Sequence, residues 1–95
     1  TGHVVVVSET GKPVNLNVYG NVGIGVKYPQ ETLHVDGNIK FAERTFASGE
    51  QAPKDGRWDT GSVIWNEKPE LNKPVGWVCT NGGKPGSWRA FGMIY

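Results

Sequence analysis

This sequence has little cysteine, little net charge and no long apolar run, and each of these features excludes a class of protein. A single cysteine, Cys79, cannot form a disulfide within the chain, so the fold is not a disulfide framework. Ten basic and nine acidic residues give a net charge of +1 without a basic stripe, which argues against nucleic-acid binding. No apolar run approaches the length of a membrane span, so we expect no membrane insertion.

Helical patterns are missing as well, and apolar residues are few. No window repeats apolar residues at three- and four-residue spacing, and 14 glycines with 6 prolines disfavour long helices. Only 37% of the 95 residues are apolar, which is a small supply for the core of an independent monomer. The sequence therefore predicts an all-β chain for which association with other copies is a natural remedy.

One pattern occurs twice. Residues 16–24 and 33–41 both read L-x-V-x-G-N-[VI]-x-[IF], at an offset of 17 residues. Alternating apolar residues on either side of the Gly-Asn pair predict short strands, and Asp36-Gly37 fits either a hairpin turn or a bend between strands. A period of about 20 residues is typical of repeat proteins, whose apolar rows are covered by neighbouring repeats or by other chains.

Apolar, β-branched and aromatic residues predict strands elsewhere, and composition divides the chain into three parts. Residues 44–56 carry charges, Gly, Ala and Pro with little periodicity, and we interpret them as a linker. A repeat-containing β stem then covers 1–43, and a tryptophan-rich β tip covers 57–95. Outside the repeat cores, the predicted strands are 4–7, 14–18, 62–66, 76–80 and 88–95.

The repeat resembles a motif of phage tail fibres. N-V-G-I-G-V at 21–26, then Pro29 and E-T-L-H-V-D-G-N-I at 31–39, resembles the repeat common in tail fibres and tailspikes, which large bacterial surface proteins also carry. Residues 57–92 are similar to C-terminal segments of tailspike and neck-appendage proteins. The resemblance implies an elongated, intertwined homotrimeric fibre whose stem is like a β-prism or a triple β-spiral. It also implies a place in the virion and contact with a host cell-surface polysaccharide or other glycan.

In such a fibre, one row of each stem strand faces the threefold axis. Asn21 and Asn38 are expected to satisfy backbone groups of the turns. We also expect the chain to be a piece of a longer protein. The residues that we expect in the trimer core are Val18, Val22, Ile24, Leu33, Val35, Ile39 and Phe41.

Four tryptophans lie within the C-terminal half, and they have two possible roles. Exposed indoles stack on sugar rings, whereas buried indoles supply a core, at about 200 Å² or more each. We expect Trp65, Trp77 and Trp88 in the core or in an interface. Trp58 follows the charged linker and is the candidate for an exposed contact. The predicted glycan contacts are Trp58, Arg57, Asp59 and Asn66.

No constellation in the sequence indicates catalysis, a cofactor or a metal. Nucleophile-elbow, Walker and dinucleotide motifs are absent, so we expect a protein that is not an enzyme. His3 and His34 lack metal-ligand spacing, and His34 alternates with apolar neighbours, which predicts a solvated, outward-facing ring. Cys79 is predicted to be a small buried apolar residue.

Three functions are open on this basis. The first is a trimeric fibre tip that binds a host receptor with three identical sites. A second is a purely structural trimerisation or folding cap without a ligand. The third is a monomeric carbohydrate-binding module, for which residues 1–43 would be dispensable.

Overall fold

The computed structural model of the chain describes residues 5–6 and 8–95, and within them the fold is all-β with no helix. The described residues form seven strands in two sheets, which confirms the predicted all-β class. The two-stranded sheet consists of β1 (Val22–Ile24) and β2 (Leu33–Val35). In the five-stranded sheet the strands lie side by side in chain order: β3 (Ile39–Phe41), β4 (Arg44–Gly49), β5 (Val63–Asn66), β6 (Pro74–Asn81) and β7 (Ser87–Met93).

The small sheet shows why Gly23 and Gly25 are glycines and how Asn21 and Pro29 hold the adjoining loop. β1 and β2 are parallel, and the loop of residues 25–32 that joins them packs against β1. The Asn21 side chain donates a hydrogen bond to the carbonyl of Pro29 at 3.3 Å, as predicted for a turn-binding asparagine. A Cβ on Gly23 would lie 3.1 Å from Pro29 Cγ, and Gly25 has a φ of 75°. Only glycine fits these two positions without strain.

The pairing also settles which of the two turn geometries is present at the second repeat. Asp36 and Gly37 carry the chain from β2 in one sheet to β3 in the other, so this turn is a bend between strands and not a hairpin. Leu33 pairs with Val22, so the second repeat begins by pairing with the end of the first.

Two predicted strands near the N-terminus are not formed by the described residues. Residues 14–18 alternate in sequence but are exposed and lie in no strand, so that prediction is wrong for this chain alone. A strand requires a partner for its backbone groups, and β1 is paired with β2 instead. Of the predicted strand at 4–7, residues 4 and 7 lie outside the described residues, and residues 5 and 6 are exposed and not in a strand.

The predicted linker is wrong for residues 44–49, because these form β4 inside the larger sheet. β4 pairs with β3 on one side and with β5 on the other. The predicted boundary after residue 43 therefore falls between two paired strands. Ala47-Ser48-Gly49 has weak β-propensity, and the strand is held by the neighbours it pairs with.

One face of the five-stranded sheet, here called the covered face, carries the small core. Ile64 and Cys79 are 3% and 1% exposed, and Ser62 is fully buried. Residues 50–62 connect the parallel strands β4 and β5 across this face, where Trp58 contacts Trp88. Among the described residues, Ile64 and Cys79 are the only fully buried apolar ones.

The opposite face, here called the open face, is apolar and largely uncovered. Residues paired across a sheet point to the same side, so the registers assign its members. Ile39, Phe41, Trp65 and Met93 are 45%, 69%, 49% and 47% exposed. The apolar residues of the open face are Ile39, Phe41, Phe46, Val63, Trp65, Val78, Phe91 and Met93.

Candidate functional site

Trp58 is a packing residue in this fold. Its backbone exchanges hydrogen bonds of 2.9 and 3.0 Å with Gly83 in the β6–β7 turn. Its indole N–H donates to the carbonyl of Asp55 at 3.0 Å, and its ring meets Trp88 edge-on with centroids 5.5 Å apart. Trp58 is half-buried, so it does not present the exposed ring that was predicted.

Arg57 and Asp59 flank Trp58 at one end of the sheet. The Asp59 carboxylate lies 4.0 Å from the Arg57 guanidinium and 3.9 Å from the Lys40 ammonium. These are partly exposed pairs, which contribute little to stability and leave the charges available to a ligand.

Asn66, the fourth predicted contact, lies at the other end of the sheet. It bonds to Pro74 at the start of β6, whereas Gly83, the partner of Trp58, follows the end of that strand. The eight residues of β6 span about 23 Å at the rise of a β-strand. The four predicted contacts therefore do not form one site.

A groove with a volume of about 510 Å³ lies beside Asn66. Asn66 itself is held by the backbone: its Nδ2 donates to the Pro74 carbonyl and its Oδ1 accepts the Lys68 N–H, both at 2.9 Å. The Lys68 ammonium lies 3.2 Å from the Glu50 carboxylate. We call this site the Trp77 groove, and its lining residues are Glu50, Asn66, Lys68, Glu70, Lys73, Pro74, Trp77 and Ala90.

The chemistry of the Trp77 groove suits a sugar. A half-buried indole offers a flat apolar surface for the C–H groups of a pyranose ring. The negative carboxylates and positive ammonium groups around the indole can form hydrogen bonds with sugar hydroxyls from several directions. A few polar groups around an aromatic wall are typical of small-ligand sites.

Sequence reasoning placed Trp77 in the core or an interface and did not identify this groove. Trp77 lies on the covered face, because it pairs with Ile64 and is two residues from Cys79 in the same strand. The sequence does not show how much of the covered face lies under the loop of residues 50–62. Trp58 of this loop packs against Trp88 on β7, and Trp77 lines an open groove further along the covered face, on β6.

The remaining candidate residues have local structural roles. His34 lies on the side of β2 opposite Leu33 and Val35, as its phase predicts, but it is half-buried and not fully exposed. Its Nδ1 accepts the backbone N–H of Gln30 at 3.1 Å. Cys79 is buried, which confirms its prediction.

Comparison with known proteins gives no assignment: no family model, no curated protein and no solved structure matches this chain. In the part of the chain that the structure describes, no group of three or more His, Cys, Asp or Glu side chains is placed to hold a metal ion. Within the same residues, no helix could cross a membrane.

The packing of Trp58 gives a stability prediction. Trp58→Ala removes the edge contact with Trp88 and leaves the Asp55 carbonyl without its donor. We expect a loss of about 2 kcal/mol in the free energy of unfolding, below the full cost of a buried tryptophan because the ring is half-buried. Trp58→Phe keeps the ring contact and should lose about 1 kcal/mol, the value of one hydrogen bond. Urea unfolding measures both, and an unchanged midpoint for Trp58→Ala would show that the ring is a free surface residue.

Proposed function

We propose that this chain is the C-terminal part of a phage tail fibre or tailspike that assembles as a homotrimer and binds a host cell-surface glycan without catalysing a reaction. The proposal rests on the repeat at 16–41 and its resemblance to tail-fibre sequences. The structural observation that carries it is the uncovered apolar surface. In the described residues only Ile64 and Cys79 form a buried apolar core, and large apolar side chains are exposed in both sheets.

The dimensions of the chain favour an elongated protein. Its extents are 50 × 30 × 25 Å and its radius of gyration is 16.9 Å. A compact domain of this length has a radius of gyration of about 13 Å, and residues 9–21, which are exposed and lie in no strand, contribute to the difference. A chain spread out in this way makes fewer contacts with itself, so it gains more from contacts with other copies.

The Trp77 groove is the receptor site in this proposal. Three copies of a weak sugar site on one rigid tip would bind a repetitive polysaccharide with much higher avidity than one site. In this proposal Trp77 and Asn66 contact the sugar, whereas Trp58 stabilises the tip.

A structural cap without ligand is the second candidate, and the internal use of Trp58 favours it. Its indole N–H and ring are both engaged within the chain, as expected of a residue that only holds a fold together. The two candidates differ in whether the intact chain binds glycans at all.

Trp77→Ala tests the receptor site. On a printed array of bacterial surface polysaccharides, we expect binding by the unmodified chain and at least a tenfold loss for Trp77→Ala, the effect of removing a central aromatic contact. The matched control is Tyr28→Ala, because Tyr28 is an aromatic residue that is 73% exposed and does not line the groove. Tyr28→Ala should bind as the unmodified chain does. Absence of binding by the unmodified chain on the whole array would favour the structural cap.

A further inference from the structure

The open face has the composition of a protein interface and not that of a solvent-facing sheet surface. Its centre is aromatic, with Phe46, Trp65 and Phe91 on three different strands. Arg44 and Arg89 lie at the border of the open face. Arg44 pairs with Phe41, and Arg89 pairs with Val78. Aromatic residues, methionine and arginine are the types enriched where proteins meet, and Met93 completes the set.

Gly76 makes the centre of the open face flat. It lies between Trp65 and Phe91, which pair with it from either side. The two rings meet edge-on above it with centroids 5.8 Å apart, and a Cβ at this position would lie 3.1 Å from the Phe91 ring. The rings therefore lie across the middle strand and form a continuous aromatic surface.

The open face continues into the apolar row of the repeat. A hollow of about 290 Å³ is lined by Val35 of β2 together with Ile39, Phe46 and Trp65. Val35 and Ile39 were both expected in the trimer core, so the hollow joins the predicted stem contacts to the larger sheet. A large apolar side chain from another copy would fit such a hollow.

The chain exposes more surface than a compact monomer of its size. It has an accessible surface of 7817 Å², whereas a compact monomer of 10.3 kDa has about 5400 Å². Residues 9–21 are exposed and lie in no strand, so they account for part of the difference. The large apolar side chains that are exposed on the open face account for another part, and this is the part that a second copy of the chain can bury.

We propose that the open face packs against other copies of this chain, so that the C-terminal sheet itself, and not the repeat alone, holds the oligomer together. This rests on the proposed homo-oligomer and names its contact surface. It extends the contact from β3, the repeat strand that carries Ile39 and Phe41, to the aromatic residues on β4, β5 and β7.

Phe41→Asp in the full chain tests the proposal. Phe41 is 69% exposed at the end of an edge strand, so the change should leave the fold of one chain intact. It would bury an unpaired carboxylate in the contact, and we expect association at least roughly 100-fold weaker. Leu71→Asp is the matched control, because Leu71 is 68% exposed and lies outside the open face, in the β5–β6 loop. Met93→Asp repeats the test on the opposite edge strand and guards against misfolding of a single variant.

Light scattering on the purified chains, with circular dichroism to verify folding, gives the readout. The proposal predicts an oligomer for the unmodified chain and for Leu71→Asp, and folded monomers for Phe41→Asp and Met93→Asp. An oligomer of unchanged stability for Met93→Asp would overturn the proposal and leave the homotrimer in place, because Met93 lies outside the repeat whereas Phe41 is its last residue. A monomeric unmodified chain would overturn both.

Discussion

Gly76→Ala is expected to abolish folding of the five-stranded sheet. Gly76 is buried in the central part of β6, and a Cβ there would collide with the carbonyl oxygen of Ile64 on β5. The same methyl group would lie 3.1 Å from two carbons of the Phe91 ring on β7. Relief requires that the β5–β6 ladder opens or that the Trp65–Phe91 contact is lost. We expect a loss of about 3 kcal/mol or more in the free energy of unfolding, at the upper end of overpacking effects.

Gly20→Ala is the control for this substitution. A Cβ on Gly20 meets nothing within 4 Å, and its φ is not positive, so alanine adds neither a clash nor strain. Circular dichroism with urea unfolding should show an unfolded or severely destabilised Gly76→Ala and a Gly20→Ala close to the unmodified chain. A Gly76→Ala chain that unfolds at the normal urea concentration would contradict the packing described for the open face.

Ile64→Ala is expected to have the second largest effect. Ile64 is 3% exposed, pairs with Ala47 and Trp77, and is one of two fully buried apolar residues among those described. Removing a buried isoleucine side chain costs about 2–5 kcal/mol, and a chain with so small a core has little else to compensate. We expect a loss of about 4 kcal/mol, which is a large share of the roughly 5–15 kcal/mol by which native proteins are stable.

Leu71→Ala provides the comparison for Ile64→Ala. Leu71 loses a side chain of similar size at a position that is 68% exposed, so we expect a change within about 0.5 kcal/mol. Urea unfolding monitored by tryptophan fluorescence measures both variants. Equal effects of the two substitutions would show that the covered face is not the core of the monomer.

The three C-terminal strands could be predicted from the sequence because their residues are strongly β-forming. Val63, Ile64 and Trp65 form one strand, and Trp77 and Val78 lie in the next, separated by Gly, Pro and Asn. The sequence predicted 62–66, 76–80 and 88–95, and the strands begin and end within about two residues of these limits.

Strands whose existence depends on distant partners could not be predicted. Residues 14–18 have a strand pattern without a partner among the described residues, whereas residues 44–49 have little pattern but two partners. Alternation reports which side chains share a face and contains no information on what the backbone pairs with. The division into stem and linker was therefore the least accurate part of the prediction.

The groove proposed as the glycan site differs in position from the site that the sequence predicted. A tryptophan with polar neighbours was expected, and the structure brings Asn66 together with Trp77, about 23 Å from the strand end at which Trp58 lies. Both tryptophans are half-buried, so residue type alone does not separate a ring that packs on Trp88 from one that lines a groove.

Association of copies through exposed apolar surface is the central claim, and the solution mass of the unmodified chain tests it most directly. Sedimentation equilibrium over a range of concentrations gives this mass independently of molecular shape. Three chains of 10.3 kDa give about 31 kDa, which is the value that we predict across micromolar concentrations. A mass near 10.3 kDa at every concentration would contradict the account, because the open face would then be stable in water without a partner.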